Sequence, residues 1–266
     1  MPASLSPAQP SRLRPLAKSA AATVARQVLP QARYSRCILL LSHMRATTTA
    51  LGNVLGSHPA ISGYGESHVR HDCAGAPAAL AVNLARRGCL SLGAPYLFDK
   101  VLHDRLDDAV SDDFYTARAL MLLRAPGPSI ASILKLAAAT GLREGATPET
   151  AARYYAARVT RLCTHWDRFP REARMGVSTA ELRRDPDAVV GRIGAGLSLS
   201  PPLGNHYRSS AASRRAGGGD PLKSGRFSRI EPGQDEPCGD MTVVPPGLAA
   251  RCQAAHDALL DRFQRG

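Results

Sequence analysis

The chain has 266 residues, of which 44% are hydrophobic and 5% aromatic, and its formal net charge is +12. This length suits one large α/β domain or two small ones, and no run reaches the roughly 20 apolar residues of a membrane span. The positive charge favours a polyanionic partner, such as nucleic acid, an anionic membrane or a highly phosphorylated cofactor, although an arginine-rich surface alone gives the same charge.

The N-terminal segment, residues 1–34, is basic and has no apolar stretch long enough for a signal peptide. We predict a flexible arm there, with a short helix over 16–28. Six cysteines are spread along the chain without a CxxC pair, which is typical of a reduced intracellular protein. His68, His71 and Cys73 form the nearest approach to a zinc cluster but lack a second group of ligands, so a polar loop is the simpler interpretation. We therefore predict no metal and a cytoplasmic location.

Strand and helix patterns alternate from residue 36 onward. Short apolar runs predict buried parallel strands at 36–42, 96–101, 119–124 and 174–178. Helices are predicted at 50–57, 128–138, 148–166, 186–193 and 246–264. The alternation predicts one α/β domain over 35–266, with a central parallel sheet and right-handed crossovers. Residues 204–240 are rich in Gly, Arg and Ser, and they predict a loop or a flap that a ligand orders.

Two predicted strands end in residues suited to phosphate. After the first, the segment 42–49 combines hydroxyls, Arg45 and the start of a helix, which together can cradle a phosphate. The Walker pattern is absent, and N-capping threonines would give the same sequence. Arg124 follows a later strand, and Ser132 lies eight positions further on. A guanidinium offers charge and bidentate geometry to a phosphate, whereas Ser132 alone is also consistent with a serine on a helix surface. Ligands of parallel sheets bind at the carboxyl ends of the strands.

Together these motifs resemble the superfamily of sulfotransferases that use PAPS (3′-phosphoadenylyl sulfate) as sulfonate donor. Other matching segments follow in the family's order over residues 36–230, and the pattern is closest to bacterial members. They are His58-Pro59, Tyr64-Gly-Glu66, Asp99-Lys100-Val-Leu-His103, Leu182-Arg-Arg-Asp-Pro186 and Gly219-Asp-Pro-Leu-Lys-Ser-Gly-Arg226. The resemblance implies a three-layer α/β/α, P-loop-like fold and an enzyme that transfers sulfonate from PAPS to a hydroxyl or amine.

The resemblance also implies the roles of individual residues. The positions that match the 5′-phosphosulfate loop are Arg45, Ala46, Thr47, Thr48 and Thr49. Those that match the 3′-phosphate site are Arg124 and Ser132. Those that match the flap over the nucleotide are Lys223, Ser224, Gly225 and Arg226. Glu66 is the first candidate for the base that takes the acceptor's proton, and His103 is the competing candidate. Lys100 is expected beside the transferred sulfonate.

The chain departs from the family pattern in three places. Thr47 stands where glycine is usual, which puts the conformation of the 5′ loop in question. Thr179 opens a segment that lacks the family's aromatic residue, and the flap is shortened between Asp220 and Lys223. These departures are consistent with a divergent acceptor, with weaker PAPS binding or with a degenerate enzyme.

Two other functions are compatible with parts of the sequence. A P-loop-like phosphotransferase would need the Walker lysine and a Mg²⁺-binding aspartate, which are missing. A non-enzymatic polyanion-binding protein would have clustered basic residues interleaved with aromatics, whereas here the basic residues are scattered and there is one Trp. We predict no nucleic-acid partner. The acceptor, a small molecule or a carbohydrate, should contact the loops 67–93, 104–118 and 140–150, and the sequence indicates no oligomeric state.

Overall fold

A parallel five-stranded sheet forms the centre of the protein in a computed structural model, which describes residues 13–209, 225–233 and 240–266. The strand order is β2-β3-β1-β4-β5. The strands are β1 (Cys37–Ser42), β2 (Ile61–Ser62), β3 (Tyr96–Val101), β4 (Arg118–Leu123) and β5 (Arg174–Ser178). The described α-helices are α1 (Leu13–Val28), α2 (Thr48–Gly56), α3 (Ala76–Arg86), α4 (Pro126–Thr140), α5 (Pro148–Arg168), α6 (Thr179–Arg184), α7 (Pro186–Gly196) and α8 (Pro246–Arg265).

Helices cover both faces of the sheet. Successive residues of a strand point to opposite faces, and in β1 the side chains of Leu39 and Leu41 enter one hydrophobic core while Ile38 and Leu40 enter a second. Helices α3, α4, α5 and α8 contribute to the first core, and α2 and α7 contribute to the second. The predicted three-layer α/β/α fold with a central parallel sheet is therefore confirmed.

The parallel register aligns the carboxyl ends of four strands. Ser42 at the end of β1 pairs with Leu122 in β4, and Leu41 pairs with Val101 at the end of β3. Leu123 at the end of β4 pairs in turn with Ser178. The segments that follow these strands therefore begin along one edge of the sheet.

The predicted elements agree with the structure to within a few residues, and the differences concern short or weakly patterned segments. Strand β2 has two residues, which is too few to carry a periodic pattern, and α3 and α6 were not predicted. The boundary at residue 34 stays a prediction. Part of the predicted arm nevertheless packs on the domain, because Ala25 and Ala32 are buried in a cluster with Ala78 of α3.

The start of the segment predicted as a flap is bonded to residues 228–230. Asn205 donates a hydrogen bond to the carbonyl oxygen of Ile230 (3.0 Å) and accepts one from its backbone N–H (2.9 Å). The N–H of Tyr207 donates to the carbonyl oxygen of Ser228 at 2.7 Å. Among the helices in the described ranges, none has the length and apolarity needed to cross a membrane.

Candidate active site

The loop between β1 and α2 turns through two residues in the left-handed conformation. Arg45 has φ +67° and Thr47 has φ +63°. This region is uncommon for any residue other than glycine and is strained for a β-branched side chain. The loop therefore keeps the conformation that favours glycine although threonine occupies the position. Backbone strain of this kind is found where the surrounding structure fixes a functional conformation.

Thr47→Gly is expected to stabilise the protein by about 1 kcal/mol, because glycine adopts a positive φ without the steric penalty of a Cβ. The Thr47 side chain makes no capping hydrogen bond to the helix that it precedes. Urea unfolding of the variant measures the effect. Thr48→Gly is the matched control: Thr48 is the first residue of α2 and is buried, so glycine there should destabilise. A loss of stability in Thr47→Gly would show that the loop stores no such strain.

Three residues predicted to bind the donor are joined by hydrogen bonds. The Nε of Arg45 donates to the hydroxyl of Ser132 in α4 at 2.9 Å. The Nη1 of Arg124, which directly follows β4, donates to the carbonyl oxygen of Arg45 at 2.7 Å. Two guanidinium groups and a hydroxyl from three separate parts of the chain thus meet at the carboxyl edge of the sheet, next to the N-terminus of α2. Such a cluster can bind anionic groups.

A buried histidine connects this loop to β4. His43 is 0% exposed, its Nδ1 lies 2.9 Å from the carbonyl oxygen of Met44, and its Nε2 accepts a hydrogen bond from the backbone N–H of Arg124 at 3.1 Å. Burial lowers the pKa of His43 to about 3, against the opposing effect of the bond to Met44. The ring is therefore neutral near pH 7, and the carbonyl partner assigns its proton to Nδ1. His43 belongs to the segment singled out in the sequence, but no role was predicted for it.

The free energy of unfolding is expected to fall as the pH drops from 7 to 5. An unfolded histidine takes up a proton near pH 6.5. Folded His43 stays neutral down to a pKa of about 3. The contribution of His43 to the free energy of unfolding is therefore fully present above pH 6.5. Below that pH it decreases by about 1.4 kcal/mol per pH unit. Urea unfolding at both pH values should show a smaller decrease in His43→Gln than in the wild type. The control variant His206→Gln changes an exposed histidine and should keep the full decrease; equal pH dependence in all three proteins would contradict the prediction.

Glu66 and Lys100 form a buried ion pair beside α2. Their side chains are 9% and 2% exposed, and the Glu66 carboxylate lies 3.2 Å from the Lys100 ammonium. The same ammonium lies 3.5 Å from the hydroxyl of Thr49 in the first turn of α2. Two predicted catalytic residues thus adjoin the loop predicted to bind the donor. His103, the competing base, is half-buried, with its ring centroid 5.8 Å from that of Tyr154.

The backbone on both sides of Glu66 is fixed by hydrogen bonds. The N–H of Lys100 donates to the carbonyl oxygen of Gly65 at 3.2 Å. Arg87 donates to the carbonyl oxygen of Glu66 at 3.2 Å, and Asp99 accepts from the N–H of Ser67 at 3.0 Å. Both peptide groups that flank Glu66 are therefore held. Arg87 was not identified in the sequence, and Asp99 was part of a matching segment without an assigned role.

The buried contacts of Arg158 were not predicted from the sequence. This residue of α5 is 0% exposed, and it donates to the carbonyl oxygens of Ser42 (2.9 Å) and Val101 (2.9 Å) at the ends of β1 and β3. It also contacts the carboxylates of Asp104 (2.9 Å) and Asp107 (2.7 Å). Burial opposes ionisation of Asp107, but Arg158 and His165 outweigh it and hold the pKa of Asp107 below its usual range.

The histidines considered as metal ligands have other surroundings. His71 is buried rather than part of a polar surface loop, and it lies 3.1 Å from Asp99 and 3.3 Å from the hydroxyl of Tyr34. His68 has φ +56°. Within the part of the chain that the structure describes, no group of three or more His, Cys, Asp or Glu side chains is arranged to hold a metal ion.

The predicted flap is described only in part. Lys223 and Ser224 lie outside the described residues. Gly225 has φ +96° and Arg226 is exposed. The backbone that follows them is bonded to Asn205 and Tyr207.

Several solved sulfotransferase structures are similar to this chain. The sulfotransferase domain from the curacin biosynthetic pathway has a TM-score of 0.50 and 18% identity, and the match covers 84% of this chain and 96% of that domain. The sulfotransferase domain of the Synechococcus PCC 7002 olefin synthase has a TM-score of 0.50 and 17% identity, with 86% and 93% covered. The sulfotransferase from Alicyclobacillus acidocaldarius has a TM-score of 0.49 and 15% identity, with 86% and 94% covered.

At the level of sequence, no family model matches the chain, and no curated protein does. The chain thus has the fold of sulfotransferase domains, and the match covers most of this chain and most of those domains. The resemblance inferred from the sequence is confirmed for the fold, and at these identities the likeness extends no further than the fold.

Proposed function

We propose that the protein is a sulfotransferase that moves a sulfonate group from PAPS to a hydroxyl or amine of a small-molecule or carbohydrate acceptor. One observation supports this most: Arg45, Arg124 and Ser132 are joined by hydrogen bonds at the carboxyl edge of the sheet. Thr49, four residues after Arg45 in the chain, lies 3.5 Å from the ammonium of Lys100, which pairs with Glu66. A group of anion-binding residues therefore adjoins a carboxylate and an ammonium that could act on a bound substrate. Because bacteria make PAPS in the cytoplasm, we expect the protein to work there.

The residues of this edge fit the chemistry of the donor. PAPS carries phosphate groups at the 5′ and 3′ positions, and two guanidinium groups, a hydroxyl and a helix N-terminus are the partners that such anions prefer. In this proposal Arg45 to Thr49 bind the 5′-phosphosulfate, and Arg124 with Ser132 binds the 3′-phosphate. Lys223 to Arg226 would add contacts over the nucleotide.

The Glu66–Lys100 pair provides the groups that the transfer needs. PAPS, when bound, supplies a sulfonate activated for displacement from its phosphate. Glu66 takes the proton of the acceptor hydroxyl or amine, and the ammonium of Lys100 stabilises the oxygen on which negative charge develops. The hydrogen bonds to the peptide groups around Glu66 hold its carboxylate in the fixed position that proton transfer requires.

The test is calorimetric titration with PAP, the desulfonated product, and with 5′-AMP. PAP binding much tighter than AMP binding would support a site for the 3′-phosphate. Failure of the folded protein to bind PAP would refute the proposal and would favour a P-loop-like phosphotransferase or a polyanion-binding protein.

Glu66→Gln is expected to lower the rate of sulfonate transfer by about 100-fold, because it removes the base while keeping the shape of the side chain. PAP affinity should stay unchanged, since Glu66 lies outside the arginine cluster. The measurement is release of PAP from PAPS in the presence of a panel of phenols, sugars and amines. Glu149→Gln, an exposed glutamate at the start of α5, is the control. A larger loss in His103→Gln than in Glu66→Gln would identify His103 as the base instead.

A further inference from the structure

The backbone of Arg124 is held from both sides by aromatic side chains. Its N–H donates to the Nε2 of His43 at 3.1 Å, and its carbonyl oxygen accepts from the hydroxyl of Tyr155 at 2.7 Å. The two rings contact each other edge to face, with centroids 4.8 Å apart. Arg124 therefore leaves the sheet with a backbone position set by two buried side chains.

His43 also belongs to the other half of the proposed donor site. It directly follows β1 and precedes Arg45 by two residues, and its Nδ1 donates to the carbonyl oxygen of Met44 at 2.9 Å. One side of the imidazole thus bonds to the loop that contains Arg45, and the other side bonds to the residue proposed for the 3′-phosphate. The guanidinium of Arg124 also donates to the carbonyl oxygen of Arg45, so a second hydrogen bond joins the two halves.

We infer that His43 is a positioning residue that couples the two halves of the donor site, so that Arg124 is aligned with the loop of Arg45 before the nucleotide binds. This inference rests on the proposed function. Only a neutral imidazole offers a donor and an acceptor on opposite sides of one rigid ring. The burial that keeps His43 neutral near pH 7 is consistent with that requirement. A group that is preorganised in this way loses less freedom when the ligand binds.

Two substitutions separate the two contacts of His43. The side-chain amide of asparagine reaches the position of Nδ1 but is too short to replace Nε2. That of glutamine reaches the position of Nε2. His43→Asn therefore keeps the bond to Met44 and removes the acceptor for Arg124, whereas His43→Gln keeps an acceptor for Arg124.

The experiment measures the ratio of the dissociation constants of 5′-AMP and PAP, which reports recognition of the 3′-phosphate alone. We expect His43→Asn to lower this ratio by about tenfold, since the buried N–H of Arg124 loses its acceptor and the residue shifts. His43→Gln should keep most of the ratio. His58→Asn is the matched control, because His58 is a buried histidine that also bonds to a backbone carbonyl, that of Pro201 (2.7 Å), outside the cluster. The unfolding free energy of each variant is measured in the same buffer.

The outcomes distinguish this inference from the proposed function. A wild-type protein that binds PAP no better than AMP would overturn the proposed function and this inference with it. A wild type that prefers PAP, together with an unchanged ratio in His43→Asn, would overturn the coupling role alone. Equal decreases of the ratio in His43→Asn and His43→Gln, in parallel with equal losses of stability, would assign His43 a structural role and also overturn it.

Discussion

Replacing Arg158 with methionine is expected to lower the free energy of unfolding by about 4 kcal/mol. Methionine has a similar length but no charge and no hydrogen-bond donor. The substitution leaves the carboxylate of Asp107 and the carbonyl oxygens of Ser42 and Val101 buried without their donor. An uncompensated buried charge is among the most destabilising changes in a protein. Urea unfolding at neutral pH measures the loss.

Two further variants make this test specific. Arg153→Met changes an arginine on the same helix whose side chain is exposed and pairs with Glu149 at 2.6 Å. An exposed pair contributes less than about 1 kcal/mol, so this control should remain close to the wild type. Arg158→Lys keeps the charge but cannot serve four acceptors at their separate positions, and we expect an intermediate loss even if Arg158→Met does not fold. Equal stability of Arg158→Met and Arg153→Met would mean that the buried contacts of Arg158 contribute nothing to the free energy of unfolding.

Arg124→Ala is expected to weaken PAP binding by about 1000-fold and to change 5′-AMP binding little. Hydrogen bonds from a guanidinium to a phosphate contribute about 1.5 to 3 kcal/mol each, and a bidentate contact makes two of them. 5′-AMP lacks the 3′-phosphate that Arg124 is proposed to hold. Calorimetric titration of the folded variant with both nucleotides gives the two dissociation constants directly.

The matched control for this prediction lies at the other end of the same strand. Arg118 begins β4, and its guanidinium stacks on the ring of Tyr96, 4.5 Å from the ring centroid, on the opposite edge of the sheet from Arg124. Arg118→Ala removes the same charge and should leave the preference for PAP intact. Equal weakening by both variants would show that the overall positive charge attracts the nucleotide, and that Arg124 makes no specific contact.

Most of the fold could be predicted because the central strands are continuous apolar runs. The strand predicted at 96–101 agrees in both bounds with β3, and the helix predicted from residue 148 differs from α5 by two residues at its end. The placement of Arg45 and Arg124 at one edge of the sheet could also be predicted, since parallel strands end at a common edge, but the bonds of Arg45 to Ser132 and to Arg124 could not. Strand β2 could not, because two residues carry no period.

Residues that act through burial could not be predicted from the sequence. Arg158 lies in an amphipathic helix with several other arginines, among them Arg153 and Arg161, and nothing in its local sequence distinguishes it from them. Only the packing of α5 against the sheet turns Arg158 inward and leaves Arg153 exposed. The same holds for His43, whose burial and whose bond to the N–H of Arg124 depend on β4 and on the ring of Tyr155.

Helix α5 connects to the ends of three strands through residues within two turns of one another. Tyr154 accepts from the N–H of Met44 (2.8 Å) and donates to the carbonyl oxygen of Leu102 (2.7 Å), so it touches the chain just beyond β1 and β3. Tyr155 donates to the carbonyl oxygen of Arg124, just beyond β4. Arg158 donates to the carbonyl oxygens of Ser42 and Val101, at the ends of β1 and β3. This helix thus sets the positions of three strand ends relative to one another. A change that slides it along its axis would shift all three ends together, whereas a change in a single loop would shift one of them alone.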